Sequence, residues 1–158
     1  DKWNQNDMQL IAKKMIGSLG TWIDEREKGK PVVILEMPRN RTAEHIDMES
    51  LYDHVKTSLI RSGKCTFLDK KARKEIAEEY DYQGSGYVLP DEVQGLGNQR
   101  GARYLMGGVI TSTIQEVGRE KVIYYKATFE LTDIATTEIL WTDQKEISKH
   151  FKKRSVGF

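Results

Sequence analysis

The chain has 158 residues, 38% hydrophobic and 31% charged, which suits one domain with a core of its own and a heavily solvated surface. Its 25 basic and 24 acidic residues leave a net charge of +1, so no global field favours nucleic acid or an anionic membrane as the main partner. No apolar run approaches the roughly 20 residues that span a bilayer, and Cys65, the only cysteine, excludes a disulfide within the chain and a cysteine-based zinc site.

The chain opens at Asp1 without an initiator Met, which suggests a mature or trimmed chain with its targeting segment upstream. Asn6 or Asp7 is placed to cap a first helix, whose Met8, Ile11, Met15, Leu19 and Trp22 recur at spacings of three and four. A buried-strand run from Val32 to Met37 follows and breaks at Pro38 into the polar loop "RNRTAEHID". In α/β proteins such a loop usually carries function, yet this one lacks the residues of phosphate binding or catalysis and points to recognition. Asp47 is the candidate N-cap of a second helix with Met48, Leu51, Tyr52, Val55 and Leu59 inward, and Gly63 is placed to end it.

Cys65 to Leu68 reads as a short strand, with the thiol a small buried hydrophobe. A third helix is expected from Asp69, with Ala72, Ile76 and Tyr80 inward, then a loop at "QGSGYVLP" and a short helix over 91–99 weakened by Gly95 and Gly97. From there the period changes to two. Strands are expected over 103–117, 122–133 and 138–147, joined at "GREK" and "IATTE" as hairpins. In the middle one Ile123, Tyr125, Ala127, Phe129 and Leu131 face the core, while Tyr124, Lys126, Thr128, Glu130 and Thr132 face away. These elements assemble as an α+β fold: a single mixed sheet, amphipathic helices packed on its apolar face, and a C-terminal three-strand antiparallel meander whose other face is partly open.

No motif carries catalysis. "GLGNQRG" has Arg100 where a dinucleotide fingerprint has its third glycine, and it precedes a strand instead of following one. Ser85 in "GSG" lacks the glycine spacing of a nucleophile elbow. His45, His54 and His150 do not share ligand spacing, so no metal site is expected and His45 is read as ordering its loop. The acids Glu78 and Glu79 share a helix with Lys70, Lys71, Arg73 and Lys74, which reads as a solvated ion-paired face, and the basic stretch 145–154 reads as a solvated terminus. No cofactor and no small-molecule substrate are implied.

The residues left over are exposed anchors. Arg39, Asn40 and Arg41 come from the first loop, Tyr82 and Tyr87 flank the glycine loop, and Arg103 precedes the meander. Arginine and tyrosine are favoured interface anchors, and these loops are expected to be backbone that no regular element immobilises.

Five segments carry a resemblance: "RNRTAEHID", "LIRSGKCTFLD", "EEYDYQGSG", "LGNQRGARYLMGGVI" and "YYKATFELTDIATTEILWTDQKEI". Together with "WNQNDMQLIAKKM" they run in order through nearly the whole chain, and they resemble the LpoB family of outer-membrane lipoproteins, which activate bifunctional class A penicillin-binding proteins. The resemblance implies one LpoB-like domain over 1–158, a lipid anchor on an upstream cysteine, a periplasmic location at the outer membrane, and docking on a small accessory domain of the synthase. It also implies a sheet of the kind found in the TolB N-terminal domain and in CsgG-like lipoproteins. An envelope assembly or secretion component of that type is therefore the alternative. Arg103 departs from the acidic residue common there in the family. Under this reading Arg39 and Arg41 meet carboxylates of the partner, while Tyr82 and Tyr87 supply apolar contact with a polar tip.

Overall fold

The computed structural model describes residues 3–69 and 101–152. The third helix expected beyond Asp69, the glycine loop with Tyr82 and Tyr87, and the short helix over 91–99 lie outside the described residues.

The first helix, α1, runs Gln5–Arg26. Its N-cap is Asn4 rather than Asn6 or Asp7. The Asn4 side chain accepts from the Asp7 backbone N–H at 3.1 Å, and the Asp7 carboxylate accepts from the Asn4 N–H at 3.0 Å. This reciprocal capping box satisfies two of the helix's orphan donors. Strand β1 is Val32–Leu35 and strand β2 is Arg39–Asn40. Helix α2, Met48–Ser62, starts and stops as expected, with the Asp47 side chain accepting from the Ser50 N–H at 3.0 Å and Gly63 taking the left-handed φ of 68°.

Strand β3 is Thr66–Asp69, so Asp69 closes a strand. The meander follows as β4 Tyr104–Val117, β5 Glu120–Asp133 and β6 Ile139–Lys152. The basic stretch from Lys145 to Lys152 is thus strand, where a solvated terminus was expected. The alternation there is masked in sequence because the inward positions include Lys145 and Lys149, not only apolar residues.

The sheet order is β3-β1-β4-β5-β6, with β2 added beside β4. β1 is parallel to β3 and β4, and the meander is antiparallel throughout. Gly118 at φ 60° with Arg119 at negative φ gives the tight β4–β5 turn its primed twist. Between β5 and β6 the pairing shifts after Leu131, which partners Trp141 while Thr132 partners Ile139. Leu140 is the extra residue of a bulge.

Both helices pack on one face. Met8, Ile11, Met15, Leu19 and Ile23 of α1, Leu51, Val55 and Leu59 of α2, and Val33, Leu35, Met106, Ile110, Phe129 and Leu131 of the sheet form one buried cluster. Cys65 joins it, and burial pushes its thiol up from 9.0 to about 12, which removes thiolate chemistry at neutral pH. α1 is also tied to β6 by polar contacts: Trp141 Nε1 donates to Ser18 Oγ at 3.0 Å, and Lys14 Nζ donates to the Gln144 carbonyl at 2.7 Å.

Phe129 lies against Gly108, its partner across the ladder, so closely that a Cβ at Gly108 would stand 2.5 Å from the ring. At neighbouring Gly107, on the other face, a Cβ would meet the Glu36 carboxylate at an ordinary 3.5 Å. Gly→Ala ordinarily favours a strand, so the two positions should respond with opposite signs. Gly108→Ala is expected to lose about 1–3 kcal/mol by overpacking, and Gly107→Ala to be neutral or slightly stabilising. Urea unfolding of both variants checks this, and equal effects would dismiss the close-approach account.

Candidate functional site

The break between β1 and β2 decides where Arg39 and Arg41 point. Leu35 partners Met106 and Arg39 partners Val109, so four steps along this strand face three along β4. The Glu36 N–H still donates to the Met106 carbonyl at 2.9 Å, and the Arg41 N–H donates to the Ile110 carbonyl at 2.8 Å. The extra residue falls in the segment that ends at Pro38, whose missing N–H suits an interruption of the ladder.

Side chains alternate across a sheet, so one inserted residue reverses their faces. Val33 and Leu35 are buried in the core, whereas Arg39 and Arg41, at the same parity, share the open face with Val109. Both guanidinium-bearing residues are exposed. Neither has an ion-pair partner among the described residues.

A cleft of about 310 Å³ opens beside them, lined by Glu36, Met37, Arg39, Arg41, Leu105, Gly107, Val109, Thr128, Glu130 and Thr132, among others. Gly107, lacking a side chain, hollows its floor. Glu130 brings a carboxylate to the wall, and on the same strand face Tyr124 and Lys126 are exposed. The first loop and the open face of the meander are therefore one continuous surface, with cations at one rim.

The loop is more ordered than its sequence suggests, which corrects the expectation of unimmobilised backbone. Arg39 and Asn40 are strand, and the Asn40 side chain is engaged within the loop. Its Nδ2 donates to the Glu44 carbonyl at 2.8 Å, and its Oδ1 accepts from the Thr42 N–H at 2.9 Å and from the Thr42 hydroxyl at 2.7 Å. Asn40, Thr42 and Glu44 order this loop; His45 is exposed and has no such bond. The Tyr125 hydroxyl donates to Glu44 Oε1 at 2.5 Å, and Ile46 is buried in the core.

Arg103 is not part of this constellation. It precedes β4 by one residue, six positions before the Arg39 partner Val109, a separation of roughly 20 Å along a strand. Its Nη1 pairs with Glu27 Oε2 at 3.0 Å, and its guanidinium stacks 5.0 Å from the Tyr104 ring centre. The Tyr104 hydroxyl donates to the other Glu27 oxygen, and the phenol is pushed up to about 12 by burial first and by Glu27 second. Arg103 thus braces the C-terminal end of α1 against the sheet. Neither Glu27 as its partner nor the Glu44–Tyr125 bond is legible in the sequence, because both join distant parts of the chain. No group of three or more His, Cys, Asp or Glu among the described residues could hold a metal.

Among the described residues, two helices pack on one face of a mixed sheet and Arg39 and Arg41 stand over the other. The chain belongs to the LpoB family: the family model described as peptidoglycan-synthase activator LpoB matches residues 7–147. The fold is similar to that of the LpoB C-terminal domain from Salmonella enterica, with a TM-score of 0.52 at 16% identity over 89% of this chain and 94% of that one. It is likewise similar to the LpoB C-terminal domain from Escherichia coli, with a TM-score of 0.53 at 15% identity over 85% of this chain and 98% of that one. A comparison with curated protein sequences finds no match. The family is described as activating a synthase, not as catalysing a reaction.

The Tyr125 phenol is raised well above its ordinary 10, by burial first and then by the Glu44 carboxylate that accepts its proton and by the nearby charge of that carboxylate. Stability from this bond is fully present below pH 10 and is lost as pH rises through the raised value. Tyr125→Phe should cost about 1.5 kcal/mol or more at pH 7, since the acceptor is charged. The gap between variant and parent should narrow above pH 10. Urea titrations at pH 7 and pH 11 test the sign, and a gap that widened with pH would refute the assignment.

Proposed function

We propose that this domain activates peptidoglycan synthesis by docking its Arg39–Arg41 rim and the adjoining cleft on the accessory domain of a bifunctional class A penicillin-binding protein. The observation that carries this reading is the extra residue at the β1–β2 break, which turns two arginines out of the core and over an open face in a family of synthase activators. Guanidinium groups form paired, charge-assisted hydrogen bonds with carboxylates. Partner carboxylates are accordingly the complement of this rim.

The domain does no chemistry of its own in this account. It binds the active conformation of the synthase more tightly than the inactive one and shifts the population by that difference in affinity. No helix among the described residues is long and apolar enough to cross a membrane. An upstream lipidated cysteine would hold the domain to the periplasmic face of the outer membrane, and a linker would let it reach the synthase. Tyr82 and Tyr87 belong to the proposed contact surface as apolar anchors. Arg103 enters it only if Glu27 releases it, and Asn40 acts by shaping the loop that presents its two neighbours.

The test is binding and stimulation of the source organism's class A penicillin-binding proteins by the purified domain. Arg39→Ala and Arg41→Ala should each weaken binding by about 2 kcal/mol, the threshold of a true anchor. Folding should change by no more than about 0.5 kcal/mol, because both side chains are exposed. Unchanged binding and stimulation by the double variant would move the contact elsewhere. Failure of the parent to bind or stimulate any of these synthases would remove the function itself.

A further inference from the structure

Two edges of the sheet that no described strand covers, β6 and the far end of β4, are protected very differently. Along β6, inward-facing Asp143, Lys145 and Lys149 interrupt the apolar period, and Lys14 from α1 lies on the Gln144 carbonyl at 2.7 Å. Inward charges and a covering side chain are the usual guards of an edge strand. β4 is different. Its edge away from β5 is paired with β1 as far as Met106 and with β2 as far as Ile110, after which the loop turns away at Thr42. From Thr111 to Gln115 no strand among the described residues pairs with that edge.

This stretch reads Thr-Ser-Thr-Ile-Gln: β-favouring, uncharged and without proline. Ile114 in it is 51% exposed. The Met106 and Ile110 carbonyls accept on this edge, and backbone groups of alternate residues point the same way. The N–H and C=O of Ser112 and Ile114 therefore face outward on the same edge. One end of the stretch abuts the Arg39–Arg41 rim, and the other leads to exposed Arg119 in the turn.

We propose that the Thr111–Gln115 edge of β4 receives an extended, acidic segment of the synthase as an added strand in line with β2. The proposal rests on the synthase-activator reading above. Backbone hydrogen bonds to the edge supply the affinity in such strand addition, and flanking side chains supply the choice of sequence. The Arg39–Arg41 rim at one end of the edge selects carboxylate-bearing segments. The loop turn at Thr42 fixes where the added strand must stop.

The edge can be blocked without touching the β4–β5 ladder, because a proline at a position whose N–H faces outward removes only an outward donor. With the purified domain and its class A synthase, Ile114→Pro should bind at least tenfold more weakly while its melting temperature stays near that of the parent. Ile114→Ala, which keeps the N–H, should bind within twofold of the parent. Proline-variant binding within twofold of the parent would overturn the edge proposal and leave the proposed function standing. Failure of the parent itself to bind the synthase would overturn both. If Ile114→Pro does not fold, amide hydrogen exchange on the parent decides. Slowing of Ser112 and Ile114 by tenfold or more on adding the synthase supports strand addition, and unchanged rates overturn it.

Discussion

A sheet with one packed face and one open face tolerates a single register, and in this domain one inserted residue exploits that constraint. Before the break at Glu36–Pro38, odd-numbered side chains fill the core; after it, the odd-numbered Arg39 and Arg41 stand over the open face. Everything proposed for the site depends on this reversal. Without it, two guanidinium groups would point into the layer occupied by Met15, Leu19 and Phe129, where an unpaired charge is prohibitive. Deleting any one residue of the break would therefore act on folding and on the proposed contact at once.

The opposite face is secured by a polar clamp at the start of α1. Asp7 is 1% exposed, accepts from the Asn4 N–H, and pairs with Lys149 of β6 at 3.0 Å. A buried pair of this kind adds little net stability, because desolvation offsets most of the attraction. It does specify geometry: the helix can sit on the sheet only where Lys149 reaches it. Trp3 stacks edge-on against Tyr125 at 5.5 Å, and Tyr125 in turn holds Glu44 of the β2–α2 loop. The loop is thus linked to the seat of α1 through the core and not by its own short-range turns alone.

Local chemistry was legible in the sequence, and distant chemistry was not. Asp47 and Gly63 delimit α2 as their types require, and the alternation of β5 identified its core face residue by residue. The start of α1 was displaced because Asp7, as the third residue of a capping box, looks like a cap itself. β2 was missed because two polar residues after a proline carry no period. Of the candidate site, Arg39 and Arg41 were recognisable from residue type and loop context, but their shared face followed only from the register with β4. Arg103 looked equally eligible, and only the fold shows Glu27 holding it. The cleft floor at Gly107 had no signal at all, since nothing local distinguishes it from the close-packed Gly108.

The order of strands has a bearing on how the domain comes together. The meander is built from neighbouring segments through two short turns, whereas β1 lies between β3 and β4, and Val33 must find Tyr104 across a long intervening stretch. Closing that loop costs more chain entropy than closing a hairpin. The meander is then the natural template, and β1, with its two-residue extension β2 and with β3 on its outer side, joins it afterwards. The Arg39–Arg41 rim is then assembled late and lost early, a hierarchy that native-state hydrogen exchange reads directly.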